Sequence, residues 1–262
     1  VTMKQVGLNV ASDPLMSLEY VGIKGGMVIL VADDPGPISS QTEQDTRHFS
    51  RFSKLPCFDP SSAQEAYEMI QEAFEYSEKY GTPVFLRPTT RVCHGYASIM
   101  VKDETEYTHH QPEGFIKDSK RWVIFPRLSF MNHKKIEARN QELSDVFSSY
   151  EKNKIHPSCD AFKDSKKGIA TGGISYTYTM ETLKKTGMVK TLKIATPHPF
   201  PEKLAVDFLS GLDEVLCLEE LDPVIERELI YICGKYHLPT RINGKLSGHT
   251  ACAGENTRDT IT

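Results

Sequence analysis

Residues 27–51 read MVILVADDPGPISSQTEQDTRHFSR. Met27 to Ala32 is wholly apolar, short for a helix and rich in β-branched side chains, the pattern of a strand buried on both faces. Asp33 and Asp34 follow it directly and open a long polar loop. In open α/β sheets ligands bind beyond the carboxyl ends of the strands. The loop carrying Asp33, Asp34, Ser39, Ser40, Gln41, Glu43, Gln44, Asp45, Arg47 and His48 is therefore a candidate site, with a solvated connection that caps the next helix as the alternative. Adjacent strand residues point to opposite faces, so Asp33 and Asp34 need not share a site.

Upstream, Leu8, Val10, Ala11, Leu15 and Leu18 recur at three- and four-residue steps, which predicts a helix over 7–20, broken or kinked at Asp13-Pro14 and ended by Gly25-Gly26. Downstream, Leu55 to Phe58 reads as a short strand. Pro60-Ser61-Ser62 then supplies caps for a helix from Ala63 to Tyr80 that Gly81 closes. Val84 to Leu86 is the next strand, and Thr89 to His94 lies just past its end.

A second unit starts at Gly168. It reads as strand and turn (GIATGG), helix Tyr176–Lys185, strand Leu192–Ala195, helix Glu202–Leu209, strand Glu214–Leu218 and helix Pro223–Tyr236. The fold class is α/β, with two parallel-sheet domains at 1–96 and 167–255, a connector at 97–166 and a tail at 256–262. The connector is polar. Within it, Ile136 to Tyr150 reads as a helix, and Trp122, Val123, Ile124, Phe125 and Phe130 are expected to anchor it to a core.

Composition excludes several classes. The 262 residues carry 31 basic and 35 acidic side chains, a net charge of −4, with no basic patch suited to nucleic acid or an anionic membrane. No apolar run approaches the ~18–20 residues that span a bilayer. Cys57, Cys93, Cys159, Cys217, Cys233 and Cys252 are far apart and form no CxxC unit, so free thiols in a cytoplasmic protein are expected and a zinc or iron–sulfur ligand set is not. His48 and His94 lie nearest the candidate loop, whereas His109-His110 and the others are scattered. No HExxH, GxSxG or P-loop sequence occurs, and no metal site is expected.

Two further features are ambiguous. The turn Thr171-Gly172-Gly173 precedes a helix whose N-terminus could hold an anion, tight packing being the alternative. Glu219-Glu220 stands at a strand end as Asp33-Asp34 does, and Asp222-Pro223 reads as the cap of the following helix. Glu220 is a candidate for acid–base work.

The segments TMKQVGLNVASDPL (2–15), VADDPGPISSQTEQDTRHFSRFSKLP (31–56) and TPVFLRPTTRVCH (82–94) resemble the alpha chain of indolepyruvate:ferredoxin oxidoreductases. The likeness continues with gaps through GISYTYTMETLKK (173–185) and VLCLEELDPVIERELI (215–230). It implies a partial thiamine-diphosphate pyrimidine-binding domain followed by a transketolase-C-like domain. Such enzymes convert an arylpyruvate and coenzyme A to aryl-acetyl-CoA and CO2, passing electrons through 4Fe-4S clusters to ferredoxin. Thiamine diphosphate with magnesium supplies the nucleophilic carbon, and the protein orients and tunes it.

The resemblance also implies a beta subunit as partner and an oligomeric assembly. It places Lys4, Gly7, Leu8 and Asn9 at a first turn, and Asp33, Asp34, Ser39, Ser40, Gln41, Glu43, Gln44 and Asp45 at a second, as residues lining the cofactor and substrate. The activating glutamate of the family would fall upstream of Val1. No GDG-type diphosphate and magnesium motif and no cysteine-rich ferredoxin-like segment occurs in residues 1–262. The expectation is a middle piece of the alpha chain, inactive and without measurable thiamine-diphosphate binding by itself. A scaffold subunit that keeps the fold without the cofactor is the alternative.

Overall fold

The apolar runs of the first half become the strands of one sheet. In chain order they are β1 (Thr2–Lys4), α1 (Gln5–Val21), β2 (Val28–Ala32), α2 (Thr46–Ser53), β3 (Cys57–Phe58), α3 (Ala63–Tyr80), β4 (Val84–Leu86) and the short α4 (Thr90–Cys93). All strand pairs are parallel, in the order β1-β2-β4-β3. The computed structural model describes residues 1–36, 38, 40–107 and 111–261, so Ser39, His109 and His110 lie outside the described residues.

Alternation along β2 assigns the two faces. Ile29 and Val31 join Leu8, Leu15, Leu55 and Phe85. Val28 faces the other way, with Phe58, Met69, Ala73, Val84 and Leu86. A strand covered on both sides needs apolar residues at every position, which is why Met27–Ala32 has no polar break.

α3 begins where Ser62 Oγ accepts the Glu65 N–H at 3.1 Å and ends at Gly81, whose φ of 60° is left-handed. Ser62→Ala should therefore cost about 1 kcal/mol in chemical denaturation. α1 runs unbroken through Pro14 instead of breaking there. Pro14 and Val10 are both exposed, so the Val10 carbonyl that loses its partner can be hydrated. The helix ends at Val21, before Gly25-Gly26.

The middle of the chain holds α5 (Ser119–Trp122), α6 (Pro126–Ser148) and β5 (Lys154–His156). α6 starts ten residues earlier than the predicted helix. Its Ile136, Leu143 and Phe147 are buried, the last two in the core of the first sheet with Tyr150. These residues anchor the segment. Val123, Ile124, Phe125 and Phe130 are exposed, and Trp122 is half-buried against Phe115 and Arg121. The expected aromatic anchor is thus replaced by the aliphatic and aromatic stripe of α6.

The second half comprises β6 (Lys167–Gly172), α7 (Gly173–Thr186), β7 (Lys190–Ile194), α8 (Glu202–Leu209), β8 (Glu214–Leu218), α9 (Val224–Tyr236), β9 (Arg241–Asn243) and α10 (Arg258–Ile261). Its sheet has the order β5-β7-β6-β8-β9, parallel except for the antiparallel edge strand β5. The two sheets meet directly: the Cys57 N–H donates to the His198 carbonyl at 2.7 Å, the Asp59 N–H to Ala195, and Ala195 shares the core with Phe58. Among the described residues no helix is long and apolar enough to cross a membrane. All six cysteines are free, with Cys57 and Cys217 buried.

Candidate functional site

The carboxyl ends of β2, β3, β4 and β8 converge on one buried junction, where the charged residues after each strand meet. Arg87, just past β4, is 2% exposed. Its Nε donates to Asp33 at 2.7 Å and its Nη1 to both oxygens of Asp59 at 3.3 Å, while Nη2 lies 3.6 Å from Asp45. Asp33 also accepts from the Thr46 N–H at 2.9 Å and the Thr46 hydroxyl at 2.6 Å, which ties the start of α2 to the end of β2.

Arg47, in the first turn of α2, carries the network into the second half. Nη1 donates to Glu219 at 2.7 Å, and Nη2 to the carbonyls of Glu220 at 2.7 Å and Asp222 at 2.8 Å. Asp45 caps α2, accepting the Arg47 N–H at 3.0 Å, and receives the guanidinium through Nε at 2.9 Å and Nη2 at 2.6 Å. Glu219 accepts the N–H groups of Val224, Ile225 and Glu226 at 3.0–3.1 Å. Glu219, not Asp222, therefore caps α9. Asp222 contributes only its backbone there and turns its side chain to His48, 3.0 Å away.

Four buried carboxylates thus face two guanidiniums. Burial raises the pKa of Asp33, Asp59 and Glu219 despite the arginines, while Asp45 is held below the usual carboxylate range because Arg47 and Arg87 outweigh its burial. At the Gly173 helix start, which the sequence left open between an anion site and tight packing, the chain's own Asp59 carboxylate is the neighbour. Gly173 has a φ of 52°, and a Cβ there would stand 3.2 and 3.3 Å from the Asp59 oxygens. Gly172 serves packing, since its Cβ would meet the Ile194 carbonyl at 2.7 Å.

Asp33 and Asp34 diverge as alternation requires. Asp34 points away from Arg87, is buried, forms an ion pair with Lys4 and accepts from Ser40 at 2.8 Å and Thr90 at 2.7 Å. Burial opposes its ionisation, but these donors hold its pKa below the ordinary value. Gln5 reaches the loop through the Thr42 carbonyl at 3.0 Å. The polar loop therefore packs beside the start of α1 through Lys4 and Gln5.

Gly7, Leu8 and Asn9 are not at a turn but inside α1. Leu8 is core, Asn9 is exposed, and Gly7 accommodates Met3, whose Cβ would lie 2.9 Å from an added Cβ. Gln41 and Glu43 are exposed and Gln44 half-buried, whereas Asp45 is buried and belongs to the ionic junction, not to the exposed loop. Arg87 and Asp59 were missed by the sequence reading. Arg87 sits in FLRP immediately after a fully apolar strand, a position where a charge must find partners, and that was the available signal.

The residues gathered here do not fit the diphosphate or magnesium of a thiamine cofactor. Both guanidiniums are engaged by internal carboxylates, and four buried acids would repel a further anion. Asp45, His48 and Asp222 bring one ligand atom each within 4.8 Å, but Asp45 is already bound through both oxygens by Arg47.

No protein-family model matches the chain. It is 41% identical over 248 residues to indolepyruvate oxidoreductase subunit IorA of Methanothermobacter thermautotrophicus, covering 94% of this chain and 39% of that subunit. The IorA subunit of Pyrococcus abyssi is 39% identical, with 93% of this chain and 38% of the relative covered. The resemblance to the indolepyruvate oxidoreductase alpha chain is borne out. The chain spans about two fifths of the length of these IorA relatives.

Among solved structures, a 2-oxoglutarate:ferredoxin oxidoreductase from Magnetococcus marinus superposes with a TM-score of 0.61 at 14% identity, covering 93% of this chain and 49% of that one. A split-gene transketolase, described as an inactive beta4 tetramer, gives a TM-score of 0.52 at 15% identity, covering 92% and 65%. These likenesses concern the fold.

Proposed function

We propose that this chain is a segment of the alpha subunit of an indolepyruvate:ferredoxin oxidoreductase. In that role it contributes to converting arylpyruvates and coenzyme A to aryl-acetyl-CoA and CO2 with reduction of ferredoxin. The observation that carries the reading is the 41% identity to IorA along 94% of the chain. The fold shared with a 2-oxoacid:ferredoxin oxidoreductase supports it.

On this reading, residues 1–96 with α6 are part of a pyrimidine-binding domain and 167–255 the transketolase-C-like domain. Thiamine diphosphate and magnesium, together with 4Fe-4S clusters, are held by parts of the assembly other than the buried junction. The chain's own contribution is to fix the relative position of two sheets and to present Lys4, Asp34, Ser40, Gln41, Glu43 and Gln44 at the rim. Partners would be a beta subunit, ferredoxin and coenzyme A, within an oligomer in the cytoplasm.

An apolar stretch supports a place inside a larger assembly. Tyr96, Met100, Val101, Phe115, Phe125 and Phe130 are all exposed between residues 96 and 130, apolar surface that a partner would cover.

The test is anaerobic reduction of ferredoxin by the complete polypeptide carrying this sequence, purified with its partner subunit. Reduction should require both indolepyruvate and coenzyme A. Reduction without either, or none with any arylpyruvate, would overturn the reading. In that assembly Gln44→Ala should lower turnover and leave the melt within about 0.5 kcal/mol of the parent.

A further inference from the structure

Residues 251–257 lie against the polar loop, α4, the end of β8 and α7. The Gly254 Cα lies 3.8 Å from where a Gly36 Cβ would stand in the polar loop. Arg91 of α4 donates to Glu255 through Nε at 3.0 Å and Nη2 at 2.7 Å. The Asn256 N–H donates to Glu220 Oε1 at 2.9 Å, and its side-chain amide donates to Ser175 of α7 at 2.8 Å. At the near end, the Lys245 ammonium donates to the Ala251 carbonyl at 2.6 Å.

Glu220, whose Oε1 accepts the Asn256 N–H, has no arginine hydrogen-bonded to its carboxyl among the described residues. It is 4% exposed, and its Oε2 has no hydrogen-bond partner. The Thr89 hydroxyl stands beside it and, like the Asn256 N–H, favours the ionised form. A buried carboxylate with only one N–H and a neighbouring hydroxyl to replace water is costly, whereas a neutral carboxyl in the same place is less so. Were the segment to lift, water would reach Glu220 and the ionised form would be favoured.

We propose that residues 251–257 are a latch over the junction, closed by proton uptake at Glu220 and released when that carboxyl ionises. The charged and titratable groups facing Glu220 are Arg87 at the end of β4, Arg91 on α4, Tyr178 on α7, Lys245 after β9 and Glu255 on the latch. Both arginines stay charged throughout the neutral range, and burial raises the Tyr178 pKa further from it.

Burial, with Glu255 adding to it, pushes Glu220 up to about 7 against the Asn256 N–H, Arg87 and the Thr89 hydroxyl, which lower it. The closed state therefore holds its proton where the open, solvated state has lost it. Closure is fully favoured below the ordinary carboxyl range and is lost as pH rises through about 7. The latch loosens on the alkaline side.

Hydrogen exchange of the 251–257 amides, corrected for intrinsic rates, tests this between about pH 5 and pH 8. Protection of Asn256 should fall by about tenfold or more across that window in the parent protein. It should stay high and flat in Glu220→Gln, whose side chain remains neutral. Glu255→Gln should weaken protection overall but keep the slope. The Asn256 amide resonance of the parent protein gives a reading that needs no variant, with an expected midpoint near 7. Flat protection in the parent, a slope that survives in Glu220→Gln, or a resonance midpoint in the ordinary carboxyl range would each overturn the latch.

Discussion

Replacing Arg87 with methionine is expected to cost about 3–5 kcal/mol of stability in chemical denaturation, among the largest effects of any single substitution in the chain. The guanidinium is fully enclosed between Asp33 and Asp59, with Asp45 nearby, so removing it leaves carboxylates buried without a counter-charge. Methionine fills much of the volume, which keeps the loss electrostatic. The deficit should shrink as pH falls, because Asp33 and Asp59 already sit above the ordinary carboxyl pKa through burial and protonate first once the arginine is gone. A loss under about 1 kcal/mol, or one that grows on acidification, would show that the cluster does not hold the junction.

Neighbouring residues of the polar loop should behave in opposite ways. Asp45→Ala removes the cap of α2, the bidentate partner of Arg47 and the acceptor of the Asp222 N–H at 3.1 Å, and should cost about 3 kcal/mol or more. Gln44→Ala removes one 3.3 Å hydrogen bond to Thr42 at the surface and should stay within about 0.5 kcal/mol. Paired denaturation curves decide the matter. Equal losses would return Asp45 to the lining position that the resemblance gave it.

That misplacement marks the boundary of what the sequence carries. Met27–Ala32, Ala63–Tyr80 and Glu214–Leu218 were legible because each needs only local chemistry, an apolar run or an apolar face between a serine cap and a glycine stop. β5 and β9 were not. Each has three residues and owes its strand geometry to a neighbour, β7 or β8, that is remote in sequence. The divergence of Asp33 from Asp34 followed from strand alternation and appears in the structure. That Asp33 points inward to Arg87 did not follow, because a carboxylate after a strand looks the same in sequence whether it meets water or a guanidinium 54 residues away.

Capping of α9 gives the same lesson. Asp222-Pro223 has the expected composition of a helix start, yet Glu219, three residues earlier and folded back over the turn, accepts the free N–H groups. Leu8 erred the other way. The family resemblance suggested a lining residue, while its periodicity with Leu15 and Leu18 had already assigned it to the core.

The two sheets are fixed to each other by ion pairs at their carboxyl ends, and the Arg47–Glu219 pair, which joins α2 to the end of β8, is the contact on which this depends. A double-mutant cycle of Arg47→Met and Glu219→Met, read by denaturant unfolding, separates this contact from the other bonds each residue makes. The double variant should be less damaged than the sum of the singles by about 1–3 kcal/mol. Losses that add within about 0.5 kcal/mol would contradict it.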